Sequence, residues 1–495
     1  MICRRHVSLF WAATGPARPM DAKRNRIAAG IAWCCAFLLL CAALFSLVFA
    51  VRTARLPMQF DYEEGNILNA GLRITQGQTP YPAPGSWPVV FNPYGPVPYL
   101  LAALWVKCLG ISFFAPRLVS ILSGAVVALL IALLIRRFGG SIPVAAIFAC
   151  AFLSVGSVRN WLLTSRVDWL ALALSFGGLA AFVFWEKRWY AAAFLFSAAL
   201  FTKYTLLAAP LAVCVWLLLR RDGKALVRVA LSSLALCILA FCLAQRWSGG
   251  NFAFHQFATH PDAYDFLQYA ALLEGRFAAF PLLIGIAVIA AIRDIAKKTR
   301  ALPVIYLLTS TLATVTAGKA GSNTNHLIEW TAAICCCAGY GWQFIQSWLF
   351  ARKLAAANAA GLVAVVATSL AAIVSYRLPM AGRTSCEASY AFLRTHGDSV
   401  LSDSVGALLL AGKPVLVSNP FVYSQLVSHG KLAGDPVKQL VSEKKFDVIL
   451  LRESLGAYPP DVRFTGPTLR AAEQNYHEAA TFACYDSGHA YVPNR

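Results

Sequence analysis

The sequence predicts a mainly α-helical membrane protein, with about eleven transmembrane helices followed by a small C-terminal extracytoplasmic α/β domain. Three observations carry that expectation. Of 495 residues, 58% are hydrophobic and 13% charged, against about 25% charged in ordinary soluble domains. Mean hydropathy is +0.60, more apolar surface than a soluble core absorbs. The 43 Lys and Arg residues outnumber the 23 Asp and Glu, for a formal charge of +20, and they cluster between apolar segments. In a soluble chain that excess would suggest nucleic acid. Here it sits where cations hold membrane topology, so no nucleic-acid partner is expected.

A bilayer core about 30 Å thick needs roughly 20 apolar residues per helix. The first such segment, Ile27 to Val51, follows Lys23, Arg24 and Arg26 and is too long for a signal-peptide core. Residues 1–19 look unlike the rest, and Met20 opens a more ordinary membrane N-terminus. Further apolar segments run over 118–135, 142–158, 168–185, 189–202, 204–219, 226–245, 277–292, 301–317, 326–348 and 355–375. Arg136/Arg137, Lys187/Arg188, Arg220/Arg221/Lys224, Arg293/Lys297/Lys298/Arg300 and Arg352/Lys353 fall at alternate segment ends, on the side of the basic N-terminus. The positive-inside rule then sets the N-terminus inside and the C-terminal domain outside a cytoplasmic (inner) membrane. Counting Tyr99 to Ala115 as a span would invert every later loop. An interfacial helix fits it better, with Lys107 snorkelling. The expected organisation is a basic cytoplasmic stretch 1–26, a polytopic domain 27–376 with a first outer loop 52–117, and an outer α/β domain 377–495. No internal repeat or pair of broken spans stands out.

This topology collects the chemistry outside. The first outer loop opens with Phe60-Asp61-Tyr62-Glu63-Glu64-Gly65. The three-residue spacing of Asp61 and Glu64 suits a helix N-cap with its reciprocal acid. It also suits a carboxylate poised as a general base. Arg166 and Asp168 stand at the mouth of the fourth span. Asp168 favours a helix N-terminus, and Arg166 is either an interface anchor or a ligand group. Lys203 lies between Ala191–Phe201 and Tyr204–Leu219, where a cation is costly unless paired or at water. A glycine-rich turn from Gly318-Lys319 to His326 feeds the tenth span. Glu329 shares a helix face with His326. That pair is at most half a metal site, so neither a metal nor another cofactor is indicated.

Other patterns carry less. Gly406 to Lys413 resembles a phosphate-binding loop, but has five residues between its glycines and Pro414 where Ser or Thr is needed. Cys335-Cys336-Cys337 reads as small helix-packing residues. Cys386 and Cys484 alone fall in the outer tail, where an oxidising compartment permits a disulfide. The tail suggests strands at Ser399–Leu401, Pro414–Val417 and Phe446–Leu451, with helices near 386–395, 421–429 and 436–444. It shows no catalytic constellation and reads as a lid, an acceptor-docking surface or a cap.

Over residues 27–345 the pattern resembles the GT-C superfamily of polytopic glycosyltransferases, especially the branch of protein O-mannosyltransferases and the lipid A aminoarabinose transferase. The resemblance rests on Asp61-Tyr62-Glu63-Glu64-Gly65, Gly77 with Pro80-Tyr81, Asn92-Pro93-Tyr94-Gly95-Pro96, Arg117-Leu118, Arg166-Val167-Asp168, Thr202-Lys203 and the turn Gly318 to His326, in that order. Many relatives have adjacent Asp-Glu where Tyr62 and Glu63 here separate Asp61 from Glu64. The resemblance implies inverting transfer of a hexose or pentose from a polyprenyl-phosphate donor to an acceptor hydroxyl on a glycan, lipid or protein. Asp61, or failing that Glu64, would act as base. Lys203, Arg166 and Lys319 would meet the donor phosphate, and Glu63, Asp168, His326 and Glu329 would line the site. A lipid or sugar transporter, or a non-catalytic scaffold, also fits the composition. Reporter fusions test the topology: fusions at Arg137 and Asp398 should report opposite sides of the membrane, and a common side defeats the scheme.

Overall fold

The computed structural model describes residues 19–185, 188–260, 263–377, 386–459 and 461–495. The reading of a start at Met20 concerns residues 1–18, which lie outside this set. Among the described residues fifteen α-helices precede the tail: α1 (Pro19–Ala54), α2 (Tyr62–Thr75), α3 (Pro96–Leu109), α4 (Phe114–Arg137), α5 (Ile142–Ser154), α6 (Gly156–Leu162), α7 (Val167–Phe184), α8 (Trp189–Leu200), α9 (Ala208–Leu219), α10 (Gly223–Trp247), α11 (Phe266–Ala279), α12 (Pro281–Lys297), α13 (Leu302–Ala313), α14 (Ile328–Ala351) and α15 (Ala355–Val374).

Five of these, in α1, α4, α7, α10 and α15, are long and apolar enough to cross a membrane. Two further candidates are bent pairs, α5 with α6 at 68° and α11 with α12 at 95°. The chain is thus a multi-pass membrane protein, with five to seven candidate spans by length and composition among the described residues. The expected eleven exceed that count for a physical reason. Segments 189–202 and 204–219 form the 12-residue helices α8 and α9, each rising about 18 Å, short of a hydrocarbon core, and segment 301–317 forms α13 continued by a 3-10 stretch, Thr314–Gly318, which also stays among the shorter apolar helices. Segment 326–348 becomes the 24-residue α14, which is not among the candidates by composition. The expectation of unbroken spans is corrected outright by the two bent pairs. Segment 99–115 forms α3, 14 residues long and opened by Pro96, too short to span.

Apolar faces of α1 and α10 point outward, with Phe37 and Phe45 each 70% exposed and Leu243 61%, as surfaces bathed in lipid should be. The core lies between α4, α5, α7, α12 and α14, where Phe148, Trp169, Phe176 and the triplet Cys335–Cys337 are buried.

After residue 386 the tail builds a four-stranded sheet of β2 (Val400–Ser402), β4 (Val448–Leu451), β6 (His489–Pro493) and β5 (Tyr476–Thr481), in that order. The β2–β4 pair is parallel and the others antiparallel. Helices Glu387–Thr395, Pro420–Ser428 and Pro436–Ser442 arise close to their expected places. Val405–Leu410 and Gly466–Asn475 are additional, as are β5 and β6. The third expected strand, 414–417, shrinks to β3 (Val417–Ser418) and leaves the main sheet. It pairs in parallel with β1 (Val89–Val90) of the first loop. Cys386 and Cys484 form a disulfide across a separation of 98 residues.

The first loop is held by one buried ion pair. Arg117, at the head of α4, donates from Nε and Nη2 to the two oxygens of Glu64, each at 2.8 Å, and both side chains are fully buried. The guanidinium also donates to the Leu56 carbonyl (2.9 Å) and the Met58 carbonyl (2.5 Å), and stacks on Phe60 at 3.6 Å. Removing one partner strands the other charge in the core. Arg117→Met should therefore lower stability by about 3–5 kcal/mol, and adding Glu64→Gln should recover part of it. Thermal unfolding of the three detergent-solubilised proteins checks this; an unchanged midpoint in Arg117→Met refutes it.

Candidate active site

Asp61 and Glu64 make the full capping box their spacing suggested. Asp61 Oδ1 accepts from the Glu63 backbone N–H (3.1 Å), and Glu64 Oε2 accepts from the Asp61 N–H (3.3 Å). Their roles then diverge. Glu64 is saturated: beyond Arg117 and the cap it accepts from the Ser165 N–H at 2.8 Å and the Ser165 hydroxyl at 3.2 Å. Asp61 keeps a 14% exposed side chain. Its Oδ1 also accepts from Arg166 Nη1 at 3.0 Å, and among the described residues its Oδ2 accepts nothing.

Arg166 links two carboxylates. It holds Asp61 on one side and comes within 3.4 Å of Asp168 Oδ2 on the other, with Tyr94 Oη at 3.3 Å. Asp168 Oδ1 accepts from Lys203 Nζ (2.6 Å) and Asn325 Nδ2 (2.9 Å). The turn carrying Lys203 joins the short helices α8 and α9. Asp168 stands in the first turn of α7 and Lys203 just past the end of α8, so the two side chains meet where these packed helices share an end. The buried cation is thus paired, as such a position demands.

The familiar first-loop motifs have structural tasks. Asn92 Nδ2 donates to the Pro80 carbonyl (2.5 Å), and the Tyr81 hydroxyl to the Tyr94 carbonyl (2.9 Å), folding the loop so that Tyr94 meets Arg166. His255 clamps the same loop, with Nδ1 accepting from the Asn92 N–H (3.2 Å) and Nε2 facing the Pro82 carbonyl (2.8 Å). Burial pushes His255 down to about 4, so it stays neutral in both bonds. Gly406, rejected as a phosphate loop, is where the tail touches α2: its N–H donates to Gln59 Oε1 at 2.8 Å. A Cβ on Gly65 would collide with that same oxygen and with the Gly406 backbone.

These residues surround two adjoining cavities. One of about 520 Å³ is lined by Asp61, Tyr62, Trp161, Arg166 and Ser322, and by Phe421, Arg452, Arg463 and Tyr485 of the tail. The other, about 80 Å³, is lined by Glu63, Tyr94, Arg166, Lys203, His260, Lys319 and His326. His326 and Glu329 also border a smaller space of about 20 Å³ beside Asp168 and Lys203. His326 Nδ1 lies 3.2 Å from the Thr316 hydroxyl, and Glu329 accepts from Tyr306 at 3.2 Å. All nine expected site residues therefore fall in one region, although Glu64 lies behind it, under Asp61. Arg452, Arg463, His260 and Tyr62 were missed. Arg463 stacks over Tyr62 at 4.1 Å, a contact across about 400 residues of sequence that no local pattern signals. Among the described residues, the one group of three potential metal ligands close enough to share an ion is Cys386, Cys484 and Asp486, and the disulfide consumes two of them.

No protein-family model and no curated protein matches the sequence. Solved structures do match. ArnT from Cupriavidus metallidurans in the apo state aligns with a TM-score of 0.61 at 12% identity, over 93% of this chain and 97% of that one. The same protein bound to undecaprenyl phosphate gives 0.59 at 11%, over 92% and 97%. The arabinofuranosyltransferase AftD from Mycobacteria gives 0.52 at 16%, over 92% of this chain and 40% of that one. Both are GT-C glycosyltransferases, ArnT being the lipid A aminoarabinose transferase. The chain has the GT-C fold.

Glu63 offers a pH test of the site. It is 2% exposed, and burial pushes its carboxyl up to about 7 against the opposing pull of Arg166. A raised folded-state value means the folded protein holds a proton that the unfolded chain releases above about 4.3. Glu63 therefore costs stability progressively as pH rises from about 4.5 to 7 and beyond. Glu63→Gln removes the cost, so its unfolding midpoint should gain on the parent's between pH 5 and pH 8. A constant difference across that range contradicts the buried-acid reading.

Proposed function

We propose that this protein is an inverting glycosyltransferase that moves a sugar from a polyprenyl-phosphate donor to an acceptor hydroxyl, on the outer face of the cytoplasmic membrane. The observation that carries the reading is the split between Asp61 and its surroundings. One carboxylate oxygen is fixed by the helix cap and Arg166, and the other stands free at the larger cavity. Glu64, fully bonded to Arg117 and Ser165, serves as the support beneath it. The undecaprenyl phosphate bound to ArnT, a protein of the same fold, supports a lipid-phosphate donor.

In this scheme Asp61 Oδ2 accepts the proton of the acceptor hydroxyl. The acceptor oxygen bonds to the anomeric carbon from the face opposite the phosphate, and the bond from that carbon to the phosphate oxygen breaks, its electron pair leaving with the lipid. Three cations meet the departing charge: Arg166, Lys203 and Lys319. Asp61 and Asp168 offset two of them, leaving one positive charge for the phosphate. Lys319, exposed and without an ion pair among the described residues, is the cation freest to take it directly. Lys203 and Arg166 supply a fixed field already oriented. Asp168, His326 and Glu329 hold that array, and Arg452 and Arg463 put the tail on the acceptor's side of Asp61.

Asp61→Asn retains a capping side chain but cannot take a proton. With the protein in nanodiscs and undecaprenyl-phosphate sugars as donors, the variant should lose about 10²- to 10⁴-fold in turnover at an unchanged unfolding midpoint. Lys319→Ala should instead raise the KM for donor. Near-parental turnover in Asp61→Asn would leave the base unassigned. Failure of the parent itself with every lipid-linked sugar would reject the transferase reading.

A further inference from the structure

Among the described residues lining the smaller cavity, Arg166 Nε, Glu63 Oε2 and His260 Nε2 are buried without a hydrogen bond; Arg166 Nε faces Asp168 at 3.4 Å, and the mechanism above uses neither of the other two. Glu63 lies two residues after the N-cap Asp61, and its own backbone N–H donates to Asp61 Oδ1. Its Oε1 accepts from Asn419 Nδ2 of the tail at 3.0 Å, while Oε2 is buried without a hydrogen bond. His260 stacks edge-on against Tyr204, centroids 5.0 Å apart. Its Nε2 is buried without a hydrogen bond. Both residues line the cavity of about 80 Å³ that also holds Lys203 and Lys319.

Leaving two polar atoms unbonded in a buried site is costly. Such groups call for explanation, and a ligand that completes them is one. What must complete them is a small body with hydrogen-bonding groups on at least two sides, attached to an anion that faces the lysines. A monosaccharide on a lipid phosphate has that form. We propose that Glu63 and His260 read ring hydroxyls of the transferred sugar and set which sugar is accepted. The proposal rests on the transferase reading and adds to it the seat of the sugar. Glu63 can serve in either protonation state, because a hydroxyl both donates and accepts. Asn419 makes the tail a part of this selectivity. It adopts the left-handed conformation (φ 57°), caps the helix Pro420–Ser428 through its own Oδ1, and aims its amide at Glu63. Asn tolerates that backbone better than most residues.

A site built to bond a hydroxyl rejects analogues lacking it, because its own polar groups are then left unpaired. The test uses the full-length protein in nanodiscs with synthetic undecaprenyl-phosphate hexoses and pentoses and their monodeoxy analogues. For the preferred sugar, removing the relevant hydroxyl should lower kcat/KM tenfold or more in the parent. Glu63→Ala and His260→Ala should each shrink that penalty below threefold, at different ring positions. Glu63→Gln keeps the Asn419 contact and interrogates the same position if the alanine variant does not fold. Deoxy penalties that stay the same in folded Glu63 and His260 variants overturn the assignment, and mean that water alone completes the two atoms. That outcome is distinct from failure of the transferase reading, in which the parent transfers none of the donors.

Discussion

The bidentate pair between Glu64 and Arg117 organises the candidate site. It joins the first loop to the head of α4, draws in three carbonyls of the chain leaving α1, and anchors Ser165 just ahead of α7. A charge pair with no solvent access is tolerable only when every remaining lone pair and N–H finds a partner, and here they do. The consequence is positional. Glu64 closes the capping box on Asp61, so the ion pair fixes where the free carboxylate oxygen stands.

From that anchor a chain of alternating charges runs inward: Asp61, Arg166, Asp168, Lys203. Each cation has a carboxylate within 3.4 Å, which keeps the desolvation penalty of any single group from being left uncompensated. The short helices α8 and α9 make room for it. Their shared turn carries Lys203 to Asp168 in the first turn of α7. The bend between α5 and α6 does the same on the other wall, where Arg276 of α11 bonds the Ser157 hydroxyl and donates to the Thr324 carbonyl at 3.1 Å.

The tail closes the site through contacts with the first loop. β1 pairs with β3, Asn419 N–H donates to Asn66 Oδ1 at 2.9 Å, and Gln59 N–H donates to Asp486 Oδ2 at 2.8 Å. The same loop therefore bears the proposed base and the docking surface for the tail. Asn419 of the tail bonds Glu63 directly at 3.0 Å, beside the sugar seat proposed above.

Composition and local spacing determined the polytopic helical class, the cap at Asp61 and the disulfide-permissive pair of tail cysteines, because hydrophobic runs, N-cap chemistry and cysteine placement act over short stretches of chain. The ordered motifs also pointed to the GT-C fold and to the residues that gather around Asp61. Tertiary structure alone decided the rest. It made Glu64 a saturated support and Asp61 the open acid, two residues that look equivalent in sequence, because only packing against Arg117 and Ser165 distinguishes them. It paired Lys203 with Asp168, turned two expected spans into 12-residue helices, and took the expected strand 414–417 out of the main sheet to meet Val89. It also brought Arg452, Arg463 and Asn419 to a site roughly 350 to 400 residues away. No periodicity encodes such contacts, which exist only once the chain has closed on itself.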